Sequence, residues 1–178
     1  MRRDSLQALE DVTGKDILLA GYGTGLDNPH LPNDANYVGL DLTPAMLQRA
    51  RNNMSTPVVL HCGDAMRMPY ADNRFDIVVL HLILAVVPEP VAVLKETARV
   101  LKPGGQVLLL DKFIRPGQRA PFRRLMNIVI RHIATRTDVV FEHVLEQVPQ
   151  LNRNSDTPCV PGGWFRRIIL EKQRASSE

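Results

Sequence analysis

The sequence is poor in residues that define several whole classes of protein. It has two cysteines, Cys62 and Cys159, in 178 residues, and their separation suits neither a disulfide framework nor a zinc site. We therefore expect a reducing, cytoplasmic setting and no metal site. The hydrophobic fraction of 44% and the charged fraction of 23% are those of an ordinary globular protein. The length predicts a single domain, residues 1–178.

A long hydrophobic run is also missing. No stretch approaches the roughly 18 apolar residues that are needed to cross a bilayer. The basic start Met1-Arg2-Arg3 is not followed by an apolar segment of signal-peptide length. The sequence therefore predicts neither a transmembrane segment nor a secretory signal, and it leaves peripheral contact with an inner membrane open.

Acidic residues are absent from one segment, Lys112 to Arg136, which holds seven Lys and Arg residues; the rest has 15 basic against 19 acidic residues. Pro121–Thr135 is predicted to form a helix, the basic helix, with an apolar stripe and Arg123, Arg124 and Arg131 elsewhere on its surface. It could simply cover a sheet, or it could dock a fatty acid, an anionic lipid or an acyl carrier protein. Nucleic acid is disfavoured, because no stacking aromatics are interleaved with the charges.

The most informative stretch that is present runs from Asp16 to Asp41. A short apolar run, Ile17 to Ala20, predicts a buried parallel strand, and it stops at Gly21-Tyr22-Gly23-Thr24-Gly25. Alternate glycines let the backbone turn sharply and approach a ligand. The next apolar strand, Tyr37 to Leu40, ends on Asp41, which would lie beside the glycine loop and could bind a ribose diol. A nucleoside-containing cofactor is the first prediction.

The spacing of the glycines bears on which nucleoside is bound. The dinucleotide fingerprint is G-x-G-x-x-G, whereas this loop reads G-x-G-x-G and has Leu26 where the last glycine would stand. No P-loop motif is present either. An NAD-dependent oxidoreductase is therefore a disfavoured alternative, which a calorimetric titration with the cofactor would test.

The rest of the chain alternates between predicted strands and helices, which indicates a parallel sheet with right-handed crossovers. A helix is expected to start at Thr43-Pro44, with Thr43 as its N-cap. The other predicted elements are a short helix Ser5–Val12, a helix Val91–Leu101 and the strands Val58–His61, Phe75–Leu80, Gln106–Leu110 and Trp164–Lys172.

Four motifs in this order resemble the class I S-adenosylmethionine-dependent methyltransferases. They are AGYGTG (Ala20–Gly25), VGLDLTPAML (Val38–Leu47), GDAMRMPYADNRFDIVV (Gly63–Val79) and LKETARVLKPGGQVLLLD (Leu94–Asp111). The resemblance is close over residues 16–112. It implies an α/β, Rossmann-like sheet of seven strands in the order 3-2-1-4-5-7-6, mostly parallel with strand 7 antiparallel. We divide the predicted domain into a short N-terminal helix (1–15), a cofactor-binding half (16–112), and the basic helix with the final strands (113–174).

The same resemblance implies S-adenosylmethionine as cofactor and a set of residues that bind it. The glycine loop would lie against the methionine moiety, Asp41 would take the ribose hydroxyls and Leu42 would pack on adenine. The residues expected to contact the cofactor are Gly21, Tyr22, Gly23, Thr24, Gly25, Asp41, Leu42, Asp64, Ala65, Met66 and His81. Three positions depart from the family pattern: Leu19 replaces a usual acidic residue, Tyr22 a small one and Val86 a frequent histidine.

His81, at the predicted carboxyl end of strand four, is the best-placed catalytic residue. An amine or hydroxyl acceptor must lose a proton during methyl transfer, whereas a carboxylate is already ionised at neutral pH. The remaining histidines have weaker claims; they are His30, His61, His132 and His143. This scarcity of bases mildly favours a carboxyl acceptor.

A narrower resemblance is to small bacterial enzymes that make 3-hydroxy fatty acid methyl esters as quorum-sensing signals. It is carried by GTGLDNPHLP followed by YVGLDLTPAML in a short chain, and it implies carboxyl O-methylation of a fatty acid. N- or C-methylation of a phospholipid amine or a quinone-like molecule stays open. So does a cofactor-binding partner protein without turnover, which Leu19 and the short N-terminus suggest. Oligomeric state is not predicted.

Overall fold

The computed structural model describes residues 1–9, 11–113, 139–160 and 165–174. The predicted basic helix lies outside the described residues, together with Arg119 just before it. Trp164, the first residue of the last predicted strand, and the preceding Gly162 and Gly163 also lie outside them. The described strands are Asp16–Ala20 (β1), Asn36–Asp41 (β2), Val59–Cys62 (β3), Phe75–His81 (β4), Leu101–Lys112 (β5), Leu151–Pro158 (β6) and Phe165–Lys172 (β7). The described helices are Arg2–Leu6 (α1), Pro44–Asn52 (α2), Pro90–Val100 (α3) and Phe141–Leu145 (α4), with a 3-10 turn at Asn28–His30.

The seven strands form one sheet in the order β3-β2-β1-β4-β5-β7-β6. The first five pair in parallel, and β7 runs antiparallel to both β5 and β6. The predicted fold class and strand order are confirmed. Because β1, β2, β3, β4 and β5 are parallel, their carboxyl ends meet at one edge of the sheet, and this edge carries the candidate site.

The central strands are buried on both faces, and their side chains alternate between two cores. In β1, Leu18 and Ala20 belong to one hydrophobic cluster, while Ile17 and Leu19 belong to the other. This is the period of two that a strand imposes on successive side chains. Leu19, at the position where the family usually has an acid, is 2% exposed and shares its cluster with Leu6 of α1. The first helix therefore packs against the same face of the sheet as Leu19.

The helix boundaries agree with the sequence where proline marks them and disagree at the N-terminus. Thr43 is the N-cap of α2 and Pro44 its first residue, as predicted. The prediction of a helix over Ser5–Val12 is wrong, because the helix is Arg2–Leu6. Asp11 has a positive φ of 24°, and its carboxylate accepts a hydrogen bond from the Thr13 amide at 3.2 Å. This local turn competes with helix at that point.

The short elements α4 and β6 were not located from the sequence. β6 lies at the edge of the described sheet, where it pairs with β7, and its residues are almost all exposed apart from Leu151. No described helix is long and apolar enough to cross a membrane.

Candidate active site

The glycine loop follows β1 and stays attached to the end of β2. The amides of Gly21 and Tyr22 both donate to the carbonyl oxygen of Leu40, at 2.8 and 3.0 Å. Gly21, Gly23 and Gly25 have φ values of +74°, +59° and +76°. This left-handed backbone is unfavourable for residues with a Cβ, which explains the three alternate glycines.

Gly21 and Gly23 face different surroundings. A Cβ on Gly21 would come within 2.8 Å of Ile83 Cδ1, so the loop is closely packed against the segment after β4. Among the residues that the structure describes, a Cβ on Gly23 would meet nothing nearer than the Gly21 carbonyl oxygen at 3.9 Å. The space above Gly23 is therefore open, and a ligand can approach the backbone there.

Asp41, the last residue of β2, binds this loop through its side chain. Its Oδ2 accepts a hydrogen bond from the Gly23 amide at 2.8 Å, and its Oδ1 accepts one from the Thr43 amide at 2.9 Å. The side chain is only partly buried. A carboxylate can accept about four hydrogen bonds, so Asp41 keeps acceptor capacity for a ribose diol. The position and chemistry fit the predicted nucleoside cofactor.

Two further predicted contacts lie next to Asp41. Leu42 is 67% exposed, which leaves an apolar side chain uncovered where packing on adenine was expected. The Gly63 amide donates to the Asp41 carbonyl oxygen at 3.0 Å, and this bond brings the turn after β3 to the same place. In that turn, Asp64 Oδ1 accepts the Met66 amide at 2.8 Å.

The Asp64 side chain therefore stabilises its own turn through Oδ1. Its Oδ2 makes no hydrogen bond among the described residues and stays able to accept from an exocyclic amine. Ala65 is buried, and Met66 packs partly against the core. The predicted cofactor contacts of this turn remain predictions.

Tyr22 lies differently from the other residues of the loop. Its side chain is 5% exposed, and its hydroxyl accepts a hydrogen bond from Asn28 Nδ2 at 3.0 Å. The ring covers Gly39, where a Cβ would be 2.9 Å from Tyr22 Cγ. Burial raises the pKa of its phenol. The Tyr22 side chain is part of the core, so only its backbone faces the loop's open side. Thr24 is partly exposed in the same loop.

His81 ends β4 beside the glycine loop, and both of its ring nitrogens have partners. Nδ1 lies 2.9 Å from Asp27 Oδ1, and Nε2 lies 3.1 Å from the Ser5 hydroxyl oxygen. The residue is 4% exposed. Arg2 also binds Asp27, with Nη1 at 2.8 Å from Oδ1. The imidazole has no free nitrogen in this arrangement.

The charge on Asp27 is stabilised by these neighbours. Burial by itself raises the pKa of Asp27, but the hydrogen bonds from His81 and Arg2 outweigh it and lower the pKa from its ordinary value of 3.8. Asp27 is therefore a carboxylate at neutral pH. A buried carboxylate is unfavourable unless it is hydrogen-bonded or paired with a charge, and His81 and Arg2 supply those partners.

A second buried acid, Asp111, lies near the end of β5 and binds the backbone of the segment after β4. Its Oδ2 accepts the Ala85 amide at 3.1 Å and its Oδ1 accepts the Lys112 amide at 2.7 Å. Burial raises the pKa of Asp111, although these amides oppose the shift. In the same segment Leu82 has φ of +60°, a backbone strain for a residue with a branched side chain. Asp111 therefore helps to hold Ile83 over Gly21.

The other histidines that the structure describes lie elsewhere. His30 and His143 are exposed in the 3-10 turn and in α4. His61 is exposed on the edge strand β3, with Nδ1 3.1 Å from the Tyr70 hydroxyl. His132 is outside the described residues. None of the three described histidines lies at the end of a central strand.

Sequence reasoning missed Asp27, Ser5, Arg2 and Asp111. For Asp111 the signal was present, because it is a carboxylate at the end of an apolar strand, the feature that singled out Asp41. Ser5 gives no such signal, because its partner His81 lies 76 residues away.

Comparison with known proteins agrees with this geometry. A family model described as a methyltransferase domain matches residues 18–109. A phosphatidylethanolamine N-methyltransferase of Cereibacter sphaeroides is 34% identical over 166 residues, which are 90% of this chain and 81% of that protein. A demethylmenaquinone methyltransferase of Renibacterium salmoninarum is 31% identical, over 88% of this chain and 60% of that one. An arsenite methyltransferase of Halobacterium salinarum is 32% identical over 61% of this chain, and the match spans 29% of that protein.

Solved structures share the fold at low identity. An S-adenosylmethionine dependent methyltransferase from Mesorhizobium loti superimposes with a TM-score of 0.73 at 18% identity, over 95% of this chain and 96% of that one. The [4+2]-cyclase SpnF superimposes with a TM-score of 0.74 at 18% identity, over 98% and 81%. These likenesses concern the fold alone, and a cyclase among them shows that the fold does not by itself define a reaction.

Proposed function

The chain belongs to the class I S-adenosylmethionine-dependent methyltransferases, and from that premise we propose that it methylates the carboxylate of a 3-hydroxy fatty acid to the methyl ester. S-adenosylmethionine is the cofactor, and the glycine loop with Asp41 is the proposed place of its methionine and ribose moieties. The acceptor and the role in quorum-sensing signal synthesis are the proposed part.

One observation carries the acceptor class: the imidazole of His81 is engaged at both nitrogens. Methyl transfer from a sulfonium is an in-line displacement in which the protein mainly supplies alignment. An amine or a hydroxyl must lose its proton, so a free base is needed nearby. A carboxylate needs none, because carboxyl groups are ionised at neutral pH. A saturated His81 therefore supports a carboxylate acceptor, with His81 aligning rather than deprotonating.

The lipid character rests on apolar surface near the cleft. Leu26, after the glycine loop, is 64% exposed, and Val86, after β4, is 44% exposed. Both follow carboxyl ends of parallel strands, where an acyl chain would leave the site. The apolar stretch Leu82–Val87 suits an acyl chain less than its sequence suggests, because Ile83, Leu84 and Ala85 are buried in the protein itself.

A second candidate is N-methylation of a phospholipid amine. The specific observation in its favour is the similarity to a phosphatidylethanolamine N-methyltransferase over 90% of this chain. Quinone rings are a related possibility through the demethylmenaquinone methyltransferases. An amine acceptor would require a proton acceptor other than His81 in the arrangement seen here.

Product analysis separates these acceptors. Purified protein would be incubated with S-adenosylmethionine bearing a deuterated methyl group and with 3-hydroxy fatty acids, phosphatidylethanolamine vesicles or a demethylmenaquinone, and the extracts analysed by mass spectrometry. We expect the label in fatty acid methyl ester. Label confined to the phospholipid headgroup or to the quinone would overturn the carboxylate proposal. The Asp41→Ala variant is the control for cofactor-dependent labelling.

The basic helix supplies a separate prediction about how the acceptor arrives. If it attracts an anionic amphiphile, Arg123→Glu/Arg124→Glu should raise the acceptor KM several-fold without changing cofactor affinity. The effect should fade with salt, since the Debye length falls from about 10 Å at 0.1 M to about 3 Å at 1 M. It should be larger if an acyl carrier protein presents the acid, because more charges then meet.

Steady-state kinetics at low and high salt is the measurement for this prediction. Arg49→Glu/Arg51→Glu on the exposed side of α2 is the charge-matched control. Wild-type KM in the Arg123→Glu/Arg124→Glu variant at low salt would mean that these arginines do not attract the acceptor.

A further inference from the structure

Helix α1 connects two parts of the active site through four side chains, which we call the Arg2–Asp27–His81–Ser5 network. Two of them, Arg2 and Ser5, come from α1. Asp27 lies two residues after the last glycine of the loop, and His81 ends β4. The contacts are Arg2 Nη1 to Asp27 Oδ1 at 2.8 Å, Asp27 Oδ1 to His81 Nδ1 at 2.9 Å, and His81 Nε2 to Ser5 Oγ at 3.1 Å.

Three of the four residues in the network are buried, and Arg2 is partly exposed. Ser5 is 1% exposed, His81 4% and Asp27 5%. Polar groups buried to this degree are unfavourable unless each finds a partner. All three have one, and two of the three contacts cross from α1 to the rest of the molecule. The network therefore fastens α1, which is only five residues long and could not hold its place by helix propensity alone.

The chemistry of the partners determines where the imidazole proton lies. An ionised carboxylate can only accept hydrogen bonds, so His81 Nδ1 must be the donor to Asp27. In the neutral imidazole, Nε2 is then unprotonated and accepts the hydroxyl hydrogen of Ser5. Asp27 thus selects one of the two tautomers, and Ser5 occupies the nitrogen that a base would use.

Apolar packing places α1 at the same site. Leu6 and Leu19 share a hydrophobic cluster, and Leu19 stands two residues before the first glycine of the loop. Where the family pattern has a charged side chain, this chain has an apolar one, in the same cluster as Leu6 of α1. Arg167 of β7 adds a hydrogen bond from Nη1 to the Asp4 carbonyl oxygen at 3.1 Å.

We propose that α1 is a structural wall of the cofactor site, with Asp27 and Ser5 as positioning residues that act through His81. Asp27 sets the tautomer of His81, and Ser5 joins α1 to Nε2 of His81. Cofactor binding and docking of α1 should consequently reinforce each other, since coupling between two equilibria is reciprocal. The inference depends on the cofactor site and is independent of which acceptor is methylated.

The first experiment measures cofactor affinity by calorimetry, with S-adenosylhomocysteine as a ligand that cannot react. Ser5→Ala and Arg2→Ala should each weaken binding about three- to tenfold, the order of one or two lost hydrogen bonds. Arg3→Ala removes the same charge from an exposed neighbour and should stay within twofold. Ser5→Thr keeps a hydroxyl and should recover most of the affinity. Equal affinities in Arg2→Ala, Arg3→Ala and wild type would overturn the proposal.

The second experiment uses the unaltered protein and therefore does not depend on any variant folding. Nitrogen-15 NMR of the histidine rings should show His81 protonated at Nδ1 and not at Nε2. Amide hydrogen exchange over residues 2–9 should slow when S-adenosylhomocysteine is added. A proton at Nε2 of the neutral ring, or exchange in α1 that is indifferent to the ligand, would mean that α1 has a structural role only. Neither readout involves a methyl acceptor, so failure of the fatty acid proposal would leave this test intact.

Discussion

Two carboxylates at the same edge of the sheet, Asp41 and Asp27, have opposite surroundings. Asp41, at the end of β2, is partly exposed, and among the described residues its side chain is held by backbone amides of its own turn and of the glycine loop. Asp27 follows the glycine loop and contacts His81 at the end of β4. It is 5% exposed, and its partners are the charged and polar side chains of the network. Asp41 retains acceptor capacity toward the cleft, whereas Asp27 Oδ1 is shared by Arg2 and His81.

The difference separates binding from support at a single site. Removing a group that is open to solvent leaves few buried partners unsatisfied, so the main loss should be in ligand affinity. Removing a group with buried partners leaves those partners without compensation, so the main loss should be in folding stability. The comparison therefore predicts which measurement responds to each substitution.

The largest expected effect is on stability, in Asp27→Ala. The change leaves Arg2 and His81 without their shared acceptor, and breaking a buried ion pair from one side costs about 3–5 kcal/mol. Denaturant unfolding followed by circular dichroism measures it. Asp34→Ala, at an exposed loop position, is the control and should stay within about 0.5 kcal/mol. A loss below about 1 kcal/mol for Asp27→Ala would remove the contrast between the two carboxylates.

Asp41→Ala should show the reverse pattern. Two hydrogen bonds to ribose hydroxyls, each about 1.5–3 kcal/mol when the acceptor is charged, would be lost. Cofactor affinity should then fall at least about tenfold, while the free energy of unfolding changes much less than in Asp27→Ala. Calorimetric titration with S-adenosylmethionine measures the affinity. Unchanged affinity would contradict the ribose assignment.

The same contrast explains how far the site could be predicted from the sequence. Asp41 was found because an apolar strand that ends on an acid, next to a glycine loop, is a local pattern. The network was not found, because Ser5 and His81 are 76 residues apart and neither stands in a motif with the other. Only the folded chain brings α1 to the end of β4.

Some strands of the fold could be predicted from the sequence, and others could not. β1 is an apolar run that stops at a glycine, and β2 is one that ends on an aspartate, so their positions followed from the sequence. The order of the strands followed from the family resemblance. β6, Leu151–Pro158, has one buried residue and a polar remainder. Its strand conformation comes from pairing with β7 and not from its own pattern.

A smaller effect is expected in the acid dependence of stability, where Asp27 and Asp111 differ in sign. Both have an ordinary pKa of 3.8, which the folded protein lowers for Asp27 and raises for Asp111. Asp27 therefore stabilises the fold above pH 3.8, and this stabilisation is lost as the pH falls through its folded pKa. Asp111 contributes stability below pH 3.8, and its contribution is lost as the pH rises through its folded pKa.

Substituting each acid by its amide should consequently change the acid limb in opposite directions. From about pH 7 down to about pH 3, Asp27→Asn should lose less stability than wild type, and Asp111→Asn should lose more. Urea unfolding across this range is the measurement. A steeper acid limb in Asp27→Asn would show that its partners do not stabilise the ionised form.

The smallest effect on stability is predicted for substitution of Tyr22. This substitution tests whether the contrast between ligand-binding and supporting residues extends to the glycine loop. Tyr22 lies between two loop glycines in the sequence, yet its ring lies over Gly39 and its hydroxyl accepts from Asn28 Nδ2. In Tyr22→Phe, Asn28 keeps its hydrogen bond to the Thr56 carbonyl oxygen at 2.8 Å. The loss should therefore be about 1 kcal/mol of stability, the usual size of one hydrogen bond.

Cofactor affinity in Tyr22→Phe should remain within about twofold of wild type, because the hydroxyl points away from the open side of Gly23 and the ring remains in the core. Calorimetry and denaturant unfolding on the same preparation measure both quantities, with Asp41→Ala as the opposing case. If affinity fell tenfold while stability held, the Tyr22 hydroxyl would contact the cofactor, and the loop would move on binding. With the predicted result, Gly21, Gly23 and Gly25 supply the backbone that faces the ligand, and Tyr22 supplies the support beneath it.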